Sequence, residues 1–200
     1  MYKIYYANVN DIAEESIFQQ KMLEVRTARK QKVLRCKQKE DQLRSLAGGL
    51  LIKHALEEEL LPYGELEFEE NSNGKVLVNM ELYPVWFNLS HSGDFAAVVI
   101  SNHKVGIDIQ QEREIKSRER MIQMCYNDKE KESGKSFCYR WTRKEAYAKM
   151  LGLGLKMDFK EIDTTDSSHF WTQRVEGDYW LSIAALHEIK DVEINRISLV

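Results

Sequence analysis

The sequence is poor in proline and glycine and has no long run of apolar residues. With 2 prolines and 10 glycines among 200 residues, it differs from disordered, collagenous and linker-rich proteins. No segment reaches the roughly 18 apolar residues of a conventional membrane span. The first residues contain no basic stretch followed by an apolar stretch, so we expect no signal peptide.

Cysteine is also scarce. Cys36, Cys125 and Cys138 are odd in number, far apart and outside any CxxC spacing, which argues against a disulfide framework and against a zinc site. The formal net charge of -3 argues against a general nucleic-acid-binding protein, because such proteins usually have a basic domain. We therefore expect a cytoplasmic protein whose partners include neither nucleic acid nor a membrane.

The composition is otherwise that of a globular protein. A hydrophobic fraction of 43% over 200 residues is enough to bury a core in one large domain or two small ones. Residue patterns predict helices within 11–61, 115–126 and 128–151. They predict strands at 2–7, 65–69, 76–78, 86–90, 94–100, 104–109, 159–162, 170–175, 179–186 and 192–197, with a turn at Asn73-Gly74. The apolar segment Phe95–Ile100 indicates a strand covered on both faces.

Both halves of the chain place helices before strands, and one short pattern occurs in each half. Gly93-Asp94-Phe95 and Gly177-Asp178-Tyr179 both lead into an apolar strand, 84 residues apart. This repetition favours an α/β protein made of two similar halves.

One segment combines a glycine with a carboxylate on a predicted strand. In Val105–Gln110, with the sequence VGIDIQ, Gly106 permits another backbone to approach closely. Asp108 is an acidic residue among β-branched neighbours. It is a candidate functional carboxylate, and the alternative is an aspartate at a sheet edge or at a turn.

Two further segments contain residue types that catalysis and phosphate binding use. In Trp141–Lys149, with the sequence WTRKEAYAK, Glu145 and Lys149 share one helix face. The alternative is an exposed ion pair that contributes about a few tenths of a kcal/mol. Asn88–Gly93, with the sequence NLSHSG, supplies small hydroxyl side chains and backbone N–H groups suited to phosphate, or it is simply a turn.

Together these segments resemble the signature of the 4'-phosphopantetheinyl transferases, specifically the larger, surfactin-synthetase-activating type. That signature has a Val/Ile-Gly-Ile/Val-Asp strand followed farther along by Trp-x-x-Lys-Glu-Ala/Ser-x-x-Lys. The matching residues are Val105–Asp108 and Trp141–Lys149, preceded by Asn88–Gly93 as in the family. Further matches at Lys39–Asp41, Arg44-Ser45 and Gly74-Lys75 extend the resemblance over essentially the whole chain.

The resemblance implies an α/β (α+β) fold of two pseudo-twofold halves. Each half would be a small, mainly antiparallel sheet with packed helices, and the active site would lie in the cleft between them. We place the halves at residues 1–103 and 104–200. We also expect a monomer, because relatives with two halves need no partner subunit to complete the site.

The resemblance implies transfer of the phosphopantetheine arm of coenzyme A to a serine of an apo acyl or peptidyl carrier protein, with release of 3',5'-ADP. Attack on a pyrophosphate requires neutralisation of its negative charge. Mg²⁺ or Mn²⁺ suits this role, because Mg²⁺ accepts one or two carboxylates plus phosphate and water oxygens. By resemblance, Asp108 and Glu145 hold the metal, Glu145 is also the general base, and Lys149 stabilises charge on the phosphates and on the leaving group.

By the same resemblance, six residues contact coenzyme A. Arg29 and Lys32, in the basic stretch 21–39, bind its 3'-phosphate, and the others are Ser45, Lys75, Ser90 and His91. For the basic residues, the alternative is a solvated helix face. Lys75, directly after Asn73-Gly74, is also compatible with a simple turn lysine.

Two positions bear on how many carboxylates the metal site has. Many relatives have a glutamate two residues after the metal-binding aspartate, where this chain has Gln110. Gln110 is a candidate metal ligand that offers only a neutral carbonyl oxygen, or it orients a metal-bound water. Glu130 aligns with a further acid of the family and is a candidate metal ligand, with Asp128 as the alternative.

Three other functions remain open at the level of sequence. A metal-dependent phosphohydrolase would use the same two carboxylates without a carrier protein. A nucleic-acid-binding module would use the basic helical stretch Lys21–Lys39. A degenerate relative would bind coenzyme A or carriers without transfer, although the presence of Asp108, Glu145 and Lys149 argues against it.

Overall fold

The computed structural model describes residues 1–70, 76–78, 84–152 and 157–200, and it has a mixed α+β fold as predicted. The strands are β1 (Tyr2–Asn8), β2 (Phe68–Glu70), β3 (Val76–Val78), β4 (Trp86–Ser92), β5 (Phe95–Ser101), β6 (Val105–Gln111), β7 (Phe170–Val175), β8 (Tyr179–Ala185) and β9 (Val192–Arg196). The helices are α1 (Glu15–Glu24), α2 (Thr27–Arg35), α3 (Lys39–Glu58), α4 (Arg118–Cys125), α5 (Asp128–Glu132) and α6 (Phe137–Leu151). The predicted turn at Asn73-Gly74 and the adjoining Lys75 lie outside the described residues.

The first sheet has the strand order β4-β5-β1-β9. Every residue of β5 is buried, because the two faces of this strand pack into different cores. Val98 and Ile100 lie in the core that the sheet forms with helices α1, α2 and α3. Ala97 and Val99 lie in the core shared with the second sheet. The predicted strand covered on both faces is therefore confirmed.

The second sheet has the order β6-β8-β7 and is antiparallel, with helix α6 packed on it. Strand β6 turns Ile107 and Ile109 into the core between the sheets. Gly106 and Asp108 alternate with them and face the opposite side. A Cβ at Gly106 would lie 2.0 Å from the carbonyl oxygen of Ala146 in α6. The glycine therefore allows the helix to lie directly on the strand, as the sequence predicted.

The last strand of the chain returns to the first sheet. β9 pairs in parallel with β1, with Val192 opposite Tyr2, whereas β1–β5 and β4–β5 are antiparallel. The first sheet thus takes strands from both ends of the sequence. The division at residue 103 stays a prediction, and β9 is the element that such a division would separate from its sheet.

The two Gly-Asp-aromatic segments form corresponding hairpin turns that contact each other. Gly93 has a φ of 53° and Gly177 a φ of 71°, and both therefore occupy the left-handed region that favours glycine. The aromatic residues that follow, Phe95 and Tyr179, pack edge to face with ring centroids 4.9 Å apart. The backbone N–H of Asp94 also donates to the hydroxyl of Tyr179 at 3.0 Å. The short repetition in the sequence is therefore a structural one.

Three predicted elements differ from the structure, and the first is the strand predicted at 65–69, which is observed at Phe68–Glu70. The segment 159–162, predicted as a strand, begins with a 3-10 helix at Phe159–Glu161, where the Asp158 side chain accepts a hydrogen bond from the N–H of Lys160. The helical segment 128–151 is interrupted, because Gly134 has a φ of 67° and the side chain of Ser136 caps the new helix α6. Local side-chain caps of this kind compete with longer regular elements.

None of the helices in the described ranges is long and apolar enough to cross a membrane.

Candidate functional site

Strand β6 and helix α6 bring three predicted site residues together. Asp108 lies on the face of β6 that α6 covers, and Glu145 and Lys149 are one turn apart on α6. The close approach at Gly106 brings these helix positions onto the strand. The Nζ atom of Lys149 lies 2.5 Å from Oδ1 of Asp108. The structure therefore places the two signature motifs in one site.

The carboxylate of Asp108 has one occupied and one unoccupied oxygen. Oδ1 accepts hydrogen bonds from the hydroxyl of Ser90 at 2.8 Å and from Lys149 at 2.5 Å. Oδ2 is buried and has no hydrogen-bond partner among the described residues. A buried carboxylate oxygen without a partner is costly, so this atom is the best-defined point at which a cation or a donor would be stabilising.

Glu145 carries a strongly shifted pKa. Burial and, to a smaller extent, the negative charge of Asp108 raise its pKa from the usual 4.5 to about 7, while the cation of Lys149 opposes both effects. A carboxylate with a pKa near neutral pH is suited to taking up a proton during catalysis. The same shift also indicates that a positive charge beside this pair of carboxylates would be stabilising.

Gln110 lies on the same face of β6 as Asp108, because the two positions are two residues apart on a strand. Its side chain is half-buried, and its amide Nε2 donates to the carbonyl oxygen of Gln111 at 3.5 Å. Its position agrees with the predicted register, whereas a metal contact from its neutral side-chain oxygen stays a prediction.

Arg29 and Lys32 line the same cleft between α2 and α3, with a volume of about 160 Å³. The stem of Arg29 passes over Gly49, where a Cβ would lie 2.7 Å from Cγ of the arginine. Its Nη1 donates to the carbonyl oxygen of Ser45 at 3.5 Å. The hydroxyl of Ser45 is buried and has no hydrogen-bond partner in the described part of the chain. Three of the predicted coenzyme A contacts are therefore neighbours.

Arg26 lines this cleft as well, although the sequence analysis did not single it out. It donates to the carbonyl oxygens of Tyr63 and Leu66, and its guanidinium lies 4.7 Å from the ring centroid of Phe68. Arg26 is thus engaged within the protein and fixes one wall of the cleft. No feature of a single sequence separates such an arginine from one that binds a ligand.

The segment Asn88–Gly93 forms the end of β4 and the hairpin turn after it, so the predicted strand at 86–90 extends to Ser92. His91 is exposed on this strand. The surrounding protein partly desolvates its imidazole and lowers its pKa, and the cations of Lys149 and Arg44 lower it further. Arg44 also donates to the carbonyl oxygen of Gly93 at 3.2 Å. Arg44, absent from the predicted site, thus contacts the hairpin turn that follows His91.

Glu130 lies in a different environment from the other predicted metal ligands. It is 2% exposed, and it pairs with the buried Lys144 at 2.8 Å. Its Oε1 accepts from the N–H and hydroxyl groups of Thr164, and its Oε2 accepts from the N–H of Asn127. Internal donors therefore occupy both of its oxygens, and a metal contact from Glu130 stays a prediction.

Asp128, the alternative to Glu130, is exposed and pairs with Lys131 at 3.0 Å. Lys75, the remaining predicted contact, lies outside the described residues.

Comparisons with known proteins match most of the chain to one family. Residues 104–192 match a family model described as the 4'-phosphopantetheinyl transferase superfamily. Residues 13–103 match one described as the N-terminal part of 4'-phosphopantetheinyl transferases.

Individual relatives carry the same name. The 4'-phosphopantetheinyl transferase gsp of Aneurinibacillus migulanus is 31% identical over 163 residues, which cover 78% of this chain and 68% of that protein. The transferase psf-1 of Bacillus pumilus is 32% identical over 58% of this chain and 52% of that protein. The transferase Sfp of Bacillus subtilis (strain 168) is 23% identical over 85% of this chain and 86% of that protein. This chain therefore belongs to the 4'-phosphopantetheinyl transferase superfamily and is of the Sfp-like type.

Proposed function

We propose that the protein transfers the 4'-phosphopantetheine group of coenzyme A to a serine of an apo acyl or peptidyl carrier protein. In this reaction the serine oxygen forms a bond to the β-phosphorus of coenzyme A. The bond from that phosphorus to the bridging oxygen breaks, and 3',5'-ADP leaves. The serine proton passes to a base of the enzyme.

The observation that carries this proposal is the meeting of Asp108, Glu145 and Lys149 at the contact of β6 with α6. Two carboxylates and an ammonium group converge there, and Lys149 pairs with Asp108 at 2.5 Å. Phosphoryl transfer depends mainly on positioning and on stabilisation of negative charge. A site of this composition provides both.

The donor set fits a hard divalent cation. Asp108 presents a buried carboxylate oxygen without a partner among the described residues, and the raised pKa of Glu145 favours a nearby positive charge. No three His, Cys, Asp or Glu side chains of the described chain group into a metal site of their own. Mg²⁺ commonly takes only one or two protein carboxylates and completes its shell with phosphate and water oxygens. Asp108 and Glu145 would hold it, and its charge would neutralise the pyrophosphate.

Glu145 and Lys149 have separate proposed roles. Glu145, with a pKa of about 7, is ionised in a substantial fraction of molecules at neutral pH and takes the proton of the carrier serine. Lys149 is 30% exposed at its side chain. Its ammonium group stabilises negative charge on the phosphates and on the departing 3',5'-ADP.

The cleft between α2 and α3 is the proposed binding site of the 3'-phosphate. Arg29 and Lys32 line it, and Arg29 also donates to the carbonyl oxygen of Ser45, the third predicted contact in this region. Charge-assisted hydrogen bonds from the two basic side chains to phosphate are stronger than neutral ones. Because all of these residues come from one chain, we expect a monomer to complete the site.

The test is the intact mass of apo carrier proteins after incubation with the enzyme, coenzyme A and Mg²⁺. We expect a gain of one phosphopantetheine mass on wild-type carrier and none on a carrier whose acceptor serine is replaced by alanine. Glu145→Gln enzyme provides the matched control for the site. Release of phosphate without any change in carrier mass would instead indicate a phosphohydrolase and would overturn the proposal.

A further inference from the structure

The two sheets meet along a seam formed by β4 and β6, which are edge strands of different sheets. At alternate positions of β4, a side-chain oxygen accepts a hydrogen bond from a backbone N–H of β6. Each pair is 19 residues apart in sequence, so the two strands run in the same direction. The pairs are Asn88 with Ile107 at 3.0 Å, Ser90 with Ile109 at 3.2 Å and Ser92 with Gln111 at 3.3 Å.

This side-chain ladder provides hydrogen-bond acceptors for backbone N–H groups on the edge of β6 that has no neighbouring strand in its own sheet. Backbone N–H groups that are buried need partners, and here short polar side chains replace the carbonyl groups of a neighbouring strand. Because side chains alternate along a strand, a shift of one residue would turn all three acceptors away from the seam. The ladder therefore fixes the register between the two sheets.

Ser90 differs from the other two members of the ladder because it also contacts the candidate site. Its hydroxyl donates to Oδ1 of Asp108 at 2.8 Å and accepts from Lys149 at 2.7 Å. A hydroxyl has one donor and two acceptor positions, and the N–H of Ile109 takes the second acceptor position. Ser90 is also only 4% exposed. Its hydrogen-bonding capacity is thus fully used inside the protein.

We propose that Ser90 is a positioning residue, which holds Asp108 through Oδ1 so that Oδ2 remains available to a cation. The coenzyme A contact that the family resemblance implies for this position stays a prediction, which the same variants test. The ladder sets the location of Ser90 relative to β6, and Ser90 sets the orientation of the carboxylate. The inference rests on the proposed function, because it concerns the cation that the transfer reaction requires.

The test compares Ser90→Ala with Ser92→Ala. Both variants remove one bond of the ladder, but only the first removes a hydrogen bond to Asp108. Mn²⁺ binding is followed by electron paramagnetic resonance, with Mn²⁺ alone and with coenzyme A added. Loss of a group that orients a metal ligand typically weakens metal binding about 10- to 100-fold. We expect a loss of that size for Ser90→Ala and a change of less than about twofold for Ser92→Ala, with the KM for coenzyme A little changed in both.

Ser90→Cys keeps the side-chain volume with a weakly hydrogen-bonding group, so it should weaken Mn²⁺ binding like the alanine variant. It also replaces the alanine variant if that protein does not fold. Equal weakening of Mn²⁺ binding by Ser90→Ala and Ser92→Ala would overturn the proposal and leave the ladder purely structural.

A raised KM for coenzyme A at unchanged Mn²⁺ affinity would overturn the proposal in favour of a coenzyme A contact. Absence of transfer by the wild-type enzyme would instead contradict the proposed function. If the wild-type enzyme transfers the group, then equal weakening of Mn²⁺ binding in both alanine variants would contradict only the inference about Ser90. The same holds for a raised KM at unchanged Mn²⁺ affinity.

Discussion

The Nζ atom of Lys144 lies 2.8 Å from Oε2 of Glu130, and neither side chain has any exposed surface. The same ammonium group donates to the carbonyl oxygens of Phe159 and Ile162 at 2.6 and 2.8 Å. Lys144 precedes Glu145 in α6, so the pair ties the helix that carries the candidate base to α5 and to the segment 159–162. The buried pair therefore contributes both to folding stability and to holding α6, and with it Glu145, in place.

We expect Lys144→Met to destabilise the protein by about 3–5 kcal/mol, because it leaves the Glu130 carboxylate buried without a cation. The double variant Glu130→Gln/Lys144→Met should cost less than the sum of the two single variants, since it leaves no unpaired charge. Urea unfolding of all four proteins measures these differences. Strict additivity would contradict an energetically coupled pair.

Glu145→Gln should lower the turnover number by about 10²–10⁴, the usual contribution of an acid–base group. The amide keeps the shape of the side chain but cannot take the serine proton. Turnover is measured from the rate of carrier modification at saturating coenzyme A and Mg²⁺. Glu132→Gln, an exposed position on α5, is the control. More than about half of wild-type activity in Glu145→Gln would exclude a role as base.

The same variant should be more stable than the wild type above neutral pH in metal-free buffer. The folded-state pKa of Glu145 is raised from 4.5 to about 7, so the folded state binds this proton more tightly than the unfolded state. That contribution is fully present below the usual carboxyl pKa and is lost as the pH rises through about 7. At pH 8 the ionised wild type should be the less stable protein by up to about 3 kcal/mol.

Thermal unfolding from pH 4 to pH 8 measures this effect. The two melting temperatures should converge at the acidic end and separate as the pH rises. Parallel curves across the whole range would mean that Glu145 ionises with an ordinary pKa.

Arg29→Ala/Lys32→Ala should raise the KM for coenzyme A by at least about tenfold, since hydrogen bonds to charged groups contribute about 1.5–3 kcal/mol each. The turnover number should change much less, because the 3'-phosphate is remote from the reacting phosphorus. Arg35→Ala, exposed on the same helix but outside the cleft lining, is the control. Steady-state kinetics with 3'-dephospho-coenzyme A completes the test. If the double variant affected coenzyme A and 3'-dephospho-coenzyme A equally, this cleft would be excluded as the binding site of the 3'-phosphate.

Much of the fold was predictable because hydrophobic periodicity reports burial directly. The apolar segment of β5 predicted a doubly covered strand, and Gly106 predicted a close backbone approach. The interruption before α6 was not predictable in the same way. It depends on the left-handed conformation of Gly134 and on the cap at Ser136, whereas the apolar pattern continues across the break.

The candidate site was predictable to a different degree for each residue. Asp108, Glu145 and Lys149 lie together because their motifs belong to one strand and one helix that Gly106 brings into contact. Ser90 and Glu130 have internal hydrogen-bond partners that the sequence did not predict, while their ligand roles by resemblance stay predictions. These hydrogen bonds join residues far apart in sequence, and no local pattern records them.

Gln110→Glu tests whether the side chain at position 110 faces the proposed cation, as its position two residues after Asp108 predicts. Asp108 and Gln110 lie on one face of β6, so a glutamate would add a third carboxylate on that face. A hard cation gains more from a charged oxygen than from a neutral amide oxygen. We expect tighter Mg²⁺ binding and a lower Mg²⁺ concentration for half-maximal rate, with little gain in turnover, because uniform ground-state tightening does not accelerate chemistry.

Repulsion between the added carboxylate and the pyrophosphate should weaken coenzyme A binding at low Mg²⁺ concentration. Gln111→Glu, one residue farther on the opposite face, is the control, measured by Mg²⁺ titration at saturating coenzyme A. Superimposable titrations of wild type and Gln110→Glu would show that position 110 does not face the cation.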